Sequence, residues 1–443
     1  MKTICVARAA IAALFLGLAG LTDLGAAFAQ TSQTPGPQGQ PTPREERPDV
    51  STPSARTAES YNPIGVPLGS FRLFPSLELD AGYNDNVFAT SSAFGQTGSF
   101  IQVVKPSLEL RSDWNNHMLN LYARGAFGFY DAAPSVNYQD FAFGADGRLD
   151  IQRNWNTYGG LSYNRRHEDP GSPNTVLGFN AITKYDQISG NVGYFQKINR
   201  LSGRLEVNVD NFNFFNNGLG LAQGVVPNSD LNRTEFHEAL RFGYEYLNGF
   251  EVWTRGSLNQ RRYVNFVDSA GFIRDSAGWD LVGGVSFDFG GVTSLEVFAG
   301  YVQQNYEDVR FRTLQGMMFG ATGYWRPAKE LLIKPFISRT VQEAAFIGDS
   351  GYLSTVIGVE GNYAVRPNIR LDGYAGYSIA DYQSIATTSN RYDQYGTFRA
   401  SILYLPTPQF FIGPQYQYIH LWSNQSNFSY GQNVIMLRLG ARL

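Results

Sequence analysis

From Phe71 to the end, the chain alternates apolar and polar residues. Leu201, Gly203, Leu205, Val207 and Val209 are interleaved with Arg204, Glu206, Asn208 and Asp210. Leu119, Leu121, Ala123, Gly125, Phe127 and Phe129 alternate with Asn120, Tyr122 and Arg124, and Phe141, Phe143, Ala145, Leu149 and Ile151 with Asp140, Asp146, Arg148 and Asp150. Side chains on a strand point to opposite faces with period two, so each segment predicts one apolar and one polar face. Helical spacings of three and four are absent from these stretches. The segments number about eighteen, with sixteen as the alternative count, and run roughly ten to fourteen residues each, the pattern of a transmembrane β-barrel.

The connections fall into two kinds. Breakers mark short turns at Asn248-Gly249, Gly290-Gly291, Arg326-Pro327, Arg366-Pro367-Asn368 and Pro406-Thr407-Pro408. Between them lie longer polar stretches near 84–98, 168–181, 214–232, 264–276, 342–350 and 383–390. Short turns alternating with long loops predict a periplasmic and an extracellular end. With an even strand count, both termini fall in the periplasm. Trp114, Trp155, Trp253 and Trp325 fall beside short turns, and Trp279 and Trp422 beside long loops, so all six are expected at the membrane interfaces. An open sheet in lipid would strand its edge N–H and C=O groups, so the predicted fold is all-β, a closed antiparallel barrel. A propeller would show a blade-length repeat, and none is present.

With the apolar face toward lipid, the candidate pore-lining residues are Glu109, Arg111, Arg124, Asp146, Arg148, Arg204, Glu206, Arg241, Glu245, Arg255, Arg370, Asp372 and Arg399. Charges of both signs predict opposing Arg and carboxylate ladders across a lumen that side chains alone cannot fill.

Composition narrows the class further. The 443 residues carry 35 Lys+Arg against 38 Asp+Glu, a net charge of −3 that excludes a strongly basic nucleic-acid binder. Only 16% are charged, against about 25% in ordinary domains. Residues 1–29 read as a secretory signal: Lys2 and Arg8, an apolar run from Ala9 to Leu21, and Ala27-Phe28-Ala29 before the cut. Its removal takes Cys5, the single cysteine, so no disulfide, thiol nucleophile or Cys-based metal site is expected. From Thr31 to Ser60 the chain is Pro-, Gln-, Ser- and Thr-rich with almost no large apolar side chains, which predicts a disordered periplasmic tail over 30–68 ahead of a barrel spanning 69–443.

Catalytic motifs fail on inspection. His237-Glu238 opens an H-E pair, but position 241 is Arg, and no G-x-S-x-G is present. Gly218-Leu219-Gly220 lacks a strand-then-helix setting. By the strand count His117 falls at the periplasmic end and His167, His237 and His420 near the extracellular end on strands that are not neighbours, His167-Glu168-Asp169 reads as solvated loop charge, and Asn84-Asp85-Asn86 as an Asx turn. No catalytic residue, metal site or cofactor is assigned, and an enzyme is not expected.

Several blocks resemble the β-barrel porin 2 family of Gram-negative outer-membrane proteins. They are Tyr61-Asn62-Pro63-Ile64-Gly65, Leu68-Gly69-Ser70-Phe71, Phe74-Pro75-Ser76-Leu77-Glu78 and Gly82-Tyr83-Asn84-Asp85-Asn86-Val87-Phe88, with Gly144–Leu149, Glu296–Tyr301, Ser338–Val341 and Gly351–Thr355 further on. The chain ends in Leu443, where many such barrels end in an aromatic residue. The resemblance implies an outer-membrane pore or translocon for hydrophilic solutes. Its alternatives are the barrel component of an exopolysaccharide export system with a periplasmic export protein as partner, and a structural or adhesive surface barrel. Further expected partners are outer-membrane lipid and the barrel-assembly machinery, not nucleic acid. Solute and oligomeric state are left open.

Overall fold

The computed structural model describes residues 61–173, 182–216, 227–346, 348–385 and 391–443. A short strand β1 (Val66–Leu68) is followed by β2 (Phe71–Asn84), β3 (Ser99–Ser112), β4 (Met118–Tyr130), β5 (Tyr138–Gln152), β6 (Trp155–Glu168) and β7 (Thr183–Ile198). Then come β8 (Leu201–Phe215), β9 (Arg233–Leu247), β10 (Phe250–Tyr263), β11 (Ser276–Phe289), β12 (Thr293–Tyr306) and β13 (Leu314–Ala328). The chain finishes with β14 (Leu331–Glu343), β15 (Asp349–Arg366), β16 (Ile369–Ser384), β17 (Tyr392–Thr407), β18 (Phe410–Ser423) and β19 (Tyr430–Arg442). Each strand from β2 onward pairs antiparallel with the next. β19 then pairs with β2, from Val434↔Asn84 to Arg442↔Ser76, so the eighteen strands close on themselves. Closure leaves no edge in lipid.

The period-two pattern decides which face is which. On β2, Leu77, Leu79 and Tyr83 are exposed while Glu78, Asp80 and Asn84 are buried. On β19, Ile435, Leu437 and Leu439 are exposed while Val434, Met436, Arg438 and Arg442 are buried. Exposed Leu161, Val192, Leu205, Leu240, Leu258, Leu281, Met317, Ile357 and Ile402 continue the apolar band around the outside. The strands run 13–18 residues, longer than about ten needed to cross the hydrocarbon at a tilt, so they project beyond it.

Tight turns at 153–154, 199–200, 248–249, 290–292, 329–330, 367–368 and 408–409 share one end of the barrel with the slightly longer 113–117 connection. Gly290 and Gly291 take φ of 64° and 83° there, the left-handed region that favours glycine. Arg326-Pro327, expected as a turn, instead lies within β13; pairing slips between Trp325 and Ala328, which carries the strand past the proline. The barrel also starts earlier than residue 69, because β1 pairs with Phe71–Leu73 and covers the stretch of β2 that β19 does not reach.

Aromatic rings on the inner wall lie over glycines on the neighbouring strand. Tyr122 faces Gly144, Tyr158 faces Gly193 and Phe298 faces Gly320 in register. A Cβ added at Gly144 would fall 2.3 Å from the Tyr122 ring, and at Gly320 2.4 Å from the Phe298 ring. Part of the glycine and aromatic excess is therefore paired with itself on the inside of the sheet.

Candidate functional site

The thirteen candidate residues lie on the strand face opposite the exposed apolar band, and most are paired with neighbours on the same wall. Glu109 takes two bonds from Arg111, at 2.8 and 2.9 Å, with Arg124 at 4.0 Å. Arg148 pairs with Asp150 at 2.9 Å, Lys197 with Glu245 at 2.5 Å, and Tyr158 donates to Glu206 at 2.5 Å. Asp146 is opposite Asn120. Arg399 donates to Gln417 at 3.0 Å, Asn362 to Asp372 at 2.8 Å, and Arg370 to Asn62 at 2.8 Å.

One sector is organised in rows. Arg204, Arg241 and Arg255 are successive register partners on β8, β9 and β10. To one side run Glu206, Ala239, Ser257 and Asp280, and to the other Glu251, Ser286 and Glu296. Arg255 bonds Asp280 at 3.0 Å and Arg241 bonds Glu296 at 3.1 Å, so these two cations are satisfied by carboxylates of the flanking rows. The expected opposing ladders are thus replaced by interleaved ones, because close pairing of opposite charges outweighs attraction over the width of a lumen.

Trp253 corrects the aromatic assignment. It is 3% exposed, donates from Nε1 to Ser286 Oγ at 3.0 Å, and lies under the Arg241 guanidinium at 3.9 Å. It faces the lumen, not the interface. Its parity matches Glu251 and Arg255, and that signal was available in the sequence. Trp279, Trp325 and Trp422 are on the outer face, Trp155 is packed against outward Tyr194, and Trp114 is on a turn against Phe71.

Described segments cross the long-loop end. The segment after β6 reaches Pro173, whose carbonyl accepts from Tyr382 Oη on β16 at 2.6 Å, while Gly171 O accepts from Tyr430 on β19 at 3.4 Å. His167, expected as solvated, is buried between Asp140 at 2.8 Å and Asp169 at 3.0 Å and stacks on Tyr138. Burial is possible because each ring nitrogen meets a carboxylate. The β14–β15 hairpin also turns inward. Val341 and Leu353, opposite each other, are buried with Trp253, Val282, Phe298, Val302, Leu314 and Met318 from the inner wall. Ala345 packs with Tyr185, Phe212 and Phe214 of β7 and β8, and Phe346 with Tyr382 and Phe428. Arg391 stacks on Phe428 at 3.9 Å and pairs with Asp393 at 2.5 Å, and Arg274 donates to Ala344 O and Phe346 O. Sequence periodicity carries no signal for these chain-crossing contacts.

At the short-turn end, Arg442 donates to Tyr61 O at 2.9 Å, Arg370 to Asn62, and Arg72 to Ile64 O at 3.4 Å. Residues 61–65 are therefore held by charged groups of β2, β16 and β19. Of the other noted positions, His117 accepts from the Asp150 N–H, His420 stacks near Trp422, and Asn84 Oδ1 accepts from Asn86 N as an Asx turn. His237 and Glu238 are neighbours on β9, and Gly218–Gly220 lies outside the described residues. Among the described residues no group of three or more His, Cys, Asp or Glu side chains is placed to hold a metal.

A closed ring of eighteen antiparallel strands, apolar outside and ion-paired inside, defines an outer-membrane β-barrel of the porin type found in Gram-negative bacteria, a class of transport scaffolds and not of enzymes. The chain belongs to the family described as Putative beta-barrel porin 2, whose model matches residues 59–443. No curated protein matches it. Among solved structures it is similar to Pseudomonas aeruginosa OpdO (15% identity, 84% of this chain and 97% of that one, TM-score 0.43). It is likewise similar to OpdK of the same organism, solved with vanillate (10%, 84% and 99%, 0.45), and to the FrpB iron transporter of Neisseria meningitidis (8%, 83% and 82%, 0.43).

Proposed function

We propose that this barrel is a channel for hydrophilic solutes, with its short turns and both chain ends on the periplasmic side and its long loops outside. The ion-paired inner wall carries the reading. Eighteen strands enclose more width than side chains fill, and a wall of Arg–carboxylate pairs is one that water wets. The inward course of 169–173 and 344–346 supports a channel that opens by displacing these segments. Planar-bilayer recordings test it. Wild-type protein should conduct weakly, and deletion of 169–173 should raise conductance severalfold. Folded protein that conducts in neither form would overturn the channel and leave a structural or adhesive barrel.

A second reading, the barrel half of an exopolysaccharide exporter, is favoured by residues 61–65. Their anchorage fixes Tyr61 and Asn62 at the short-turn end, the end at which a periplasmic partner would meet the barrel. Removing residues 31–58 should then lower polymer secretion while leaving conductance unchanged. Normal secretion by that variant counts against the exporter.

A further inference from the structure

The wall parts between β13 and β14 toward the long-loop end. β13 pairs with β12 from Leu314 to Trp325, but its pairing with β14 begins only at Phe319, opposite Arg339. Leu314–Met318 thus has a neighbouring strand on one side alone. Thr340–Glu343 of β14 is its counterpart, paired with β15 and not with β13. A bare strand edge beside lipid is costly, because nothing there can bond its N–H and C=O groups. Met317 is 64% exposed and continues the outward row of Leu281 and Tyr301 in register, so this edge borders the apolar band.

Side-chain parity shows how the hairpin would sit in a continuous wall. Val341 and Leu353 are register partners on the strand face of Ile337 and Ile357, and Ile357 is 51% exposed on the outside. In a straight wall that face meets lipid. Instead Val341 and Leu353 are each 7% exposed, packed with Val302, Leu314 and Met318 of the inner wall. The hairpin has folded over and laid its lipid-type face on the inside of β12 and β13. Glu343 fastens it there, accepting from Arg261, from Tyr263 Oη at 2.8 Å and from Tyr306 Oη at 3.5 Å. Register continued from Phe319↔Arg339 would set Met318 opposite Thr340, Met317 opposite Val341 and Gly316 opposite Gln342. Val341 and Leu353 would then extend the outward apolar row, and Thr340, Gln342 and Ser354 would face the lumen. Both the free edge and the polarity match. We propose that the β14–β15 hairpin is a gate with two seats: across the lumen, as in the structure, and in the wall on the free edge of β13 in that register. The proposal rests on the channel reading for what the movement opens, not for the two seats themselves.

Cross-linking tests it in the full-length chain, folded in detergent micelles and carrying Cys5→Ser to remove the single native thiol. Gly316→Cys with Leu353→Cys reports the lumen seat, since a Cβ at Gly316 lies 3.9 Å from Leu353 Cδ1. Met317→Cys with Val341→Cys reports the wall seat, and Gly316→Cys with Gln342→Cys repeats it on the lumen face should the first pair hinder folding. Under mild oxidation, read by mass spectrometry of linked peptides, both seats should give disulfides. Met317→Cys with Gln342→Cys, one residue out of register and on opposite faces, should link at least about tenfold more slowly. Glu343→Gln, which takes the charge from the fastening, should speed wall linkage about fivefold. Planar-bilayer current should rise when the wall pair is linked and fall when the lumen pair is linked. The proposal falls if the lumen pair links and neither wall pair does, if the out-of-register pair links equally, or if Glu343→Gln leaves wall linkage unchanged. A wall link without any current leaves both seats standing and sinks the channel. Current from a barrel that never forms the wall link sinks this proposal alone.

Discussion

Tyr382 and Pro173 are joined by a 2.6 Å hydrogen bond across the mouth of the barrel. From β16 to β6, seven strands intervene one way round, and from β16 to β7 eight the other, so the bond nearly spans a diameter. Removing the hydroxyl leaves the carbonyl of a buried proline unsatisfied. Tyr382→Phe should weaken the closed mouth by about 1 kcal/mol and raise the open probability about fivefold, with no loss of folded barrel. Single-channel recordings check this; unchanged open probability would show that this bond does not hold the mouth.

The β2–β19 junction holds four charges. Lys105 reaches Glu78 at 3.2 Å and Asp80 at 2.5 Å, and Arg438 reaches the same two at 3.1 and 3.5 Å. Arg438→Met leaves two buried carboxylates sharing one cation, and should cost about 3 kcal/mol. The exposed Arg72–Asp113 pair is the control, since Arg72→Met should cost at most about 1 kcal/mol. Urea unfolding in detergent compares the two.

Single-tryptophan variants report which aromatics meet lipid. Trp279 and Trp422 should be quenched by brominated acyl chains, whereas Trp253 should not, being covered by Arg241 and Phe298 on the inner wall. Strong quenching at Trp253 would reverse the facing of β10.

Asp308, in the loop after β12, accepts from the Arg310 guanidinium and from the N–H groups of Ile273 and Arg310. The Arg310 bond chiefly, helped by those N–H groups, holds its carboxyl far below the usual range. A group depressed on folding stabilises above its unfolded value, about 4, and loses that contribution as pH falls through the folded one. Protection of this loop from proteolysis should be flat from about pH 8 to about pH 5 and decline only in stronger acid. Asp308→Asn should be cleaved faster already at neutral pH; equal cleavage would rule out an anchoring role for the carboxylate.

The wall of this barrel was legible in its sequence because each strand repeats a local rule. Arg438 and Arg442 alternate with Leu437 and Leu439, and the structure puts them on opposite faces. Trp253 lies beside a turn yet shares parity with Glu251 and Arg255, and parity, not nearness to the turn, sets the face it takes. The Tyr382–Pro173 bond, the buried His167 and the inward β14–β15 hairpin have no local signature, since each joins residues brought together only once the ring exists.

The four-charge junction also bears on the order of events. Before β19 docks, Glu78 and Asp80 have only Lys105 beside them, a local excess of one negative charge that favours water over a closed wall. The last strand brings Arg438 to the register position opposite Asp80 and removes that excess. A slip of one residue would turn Arg438 toward lipid and Leu437 or Leu439 toward the carboxylates. Charge balance at the junction is therefore a proofreading device: the ring closes favourably in one alignment, and the final strand supplies the evidence that it is the right one.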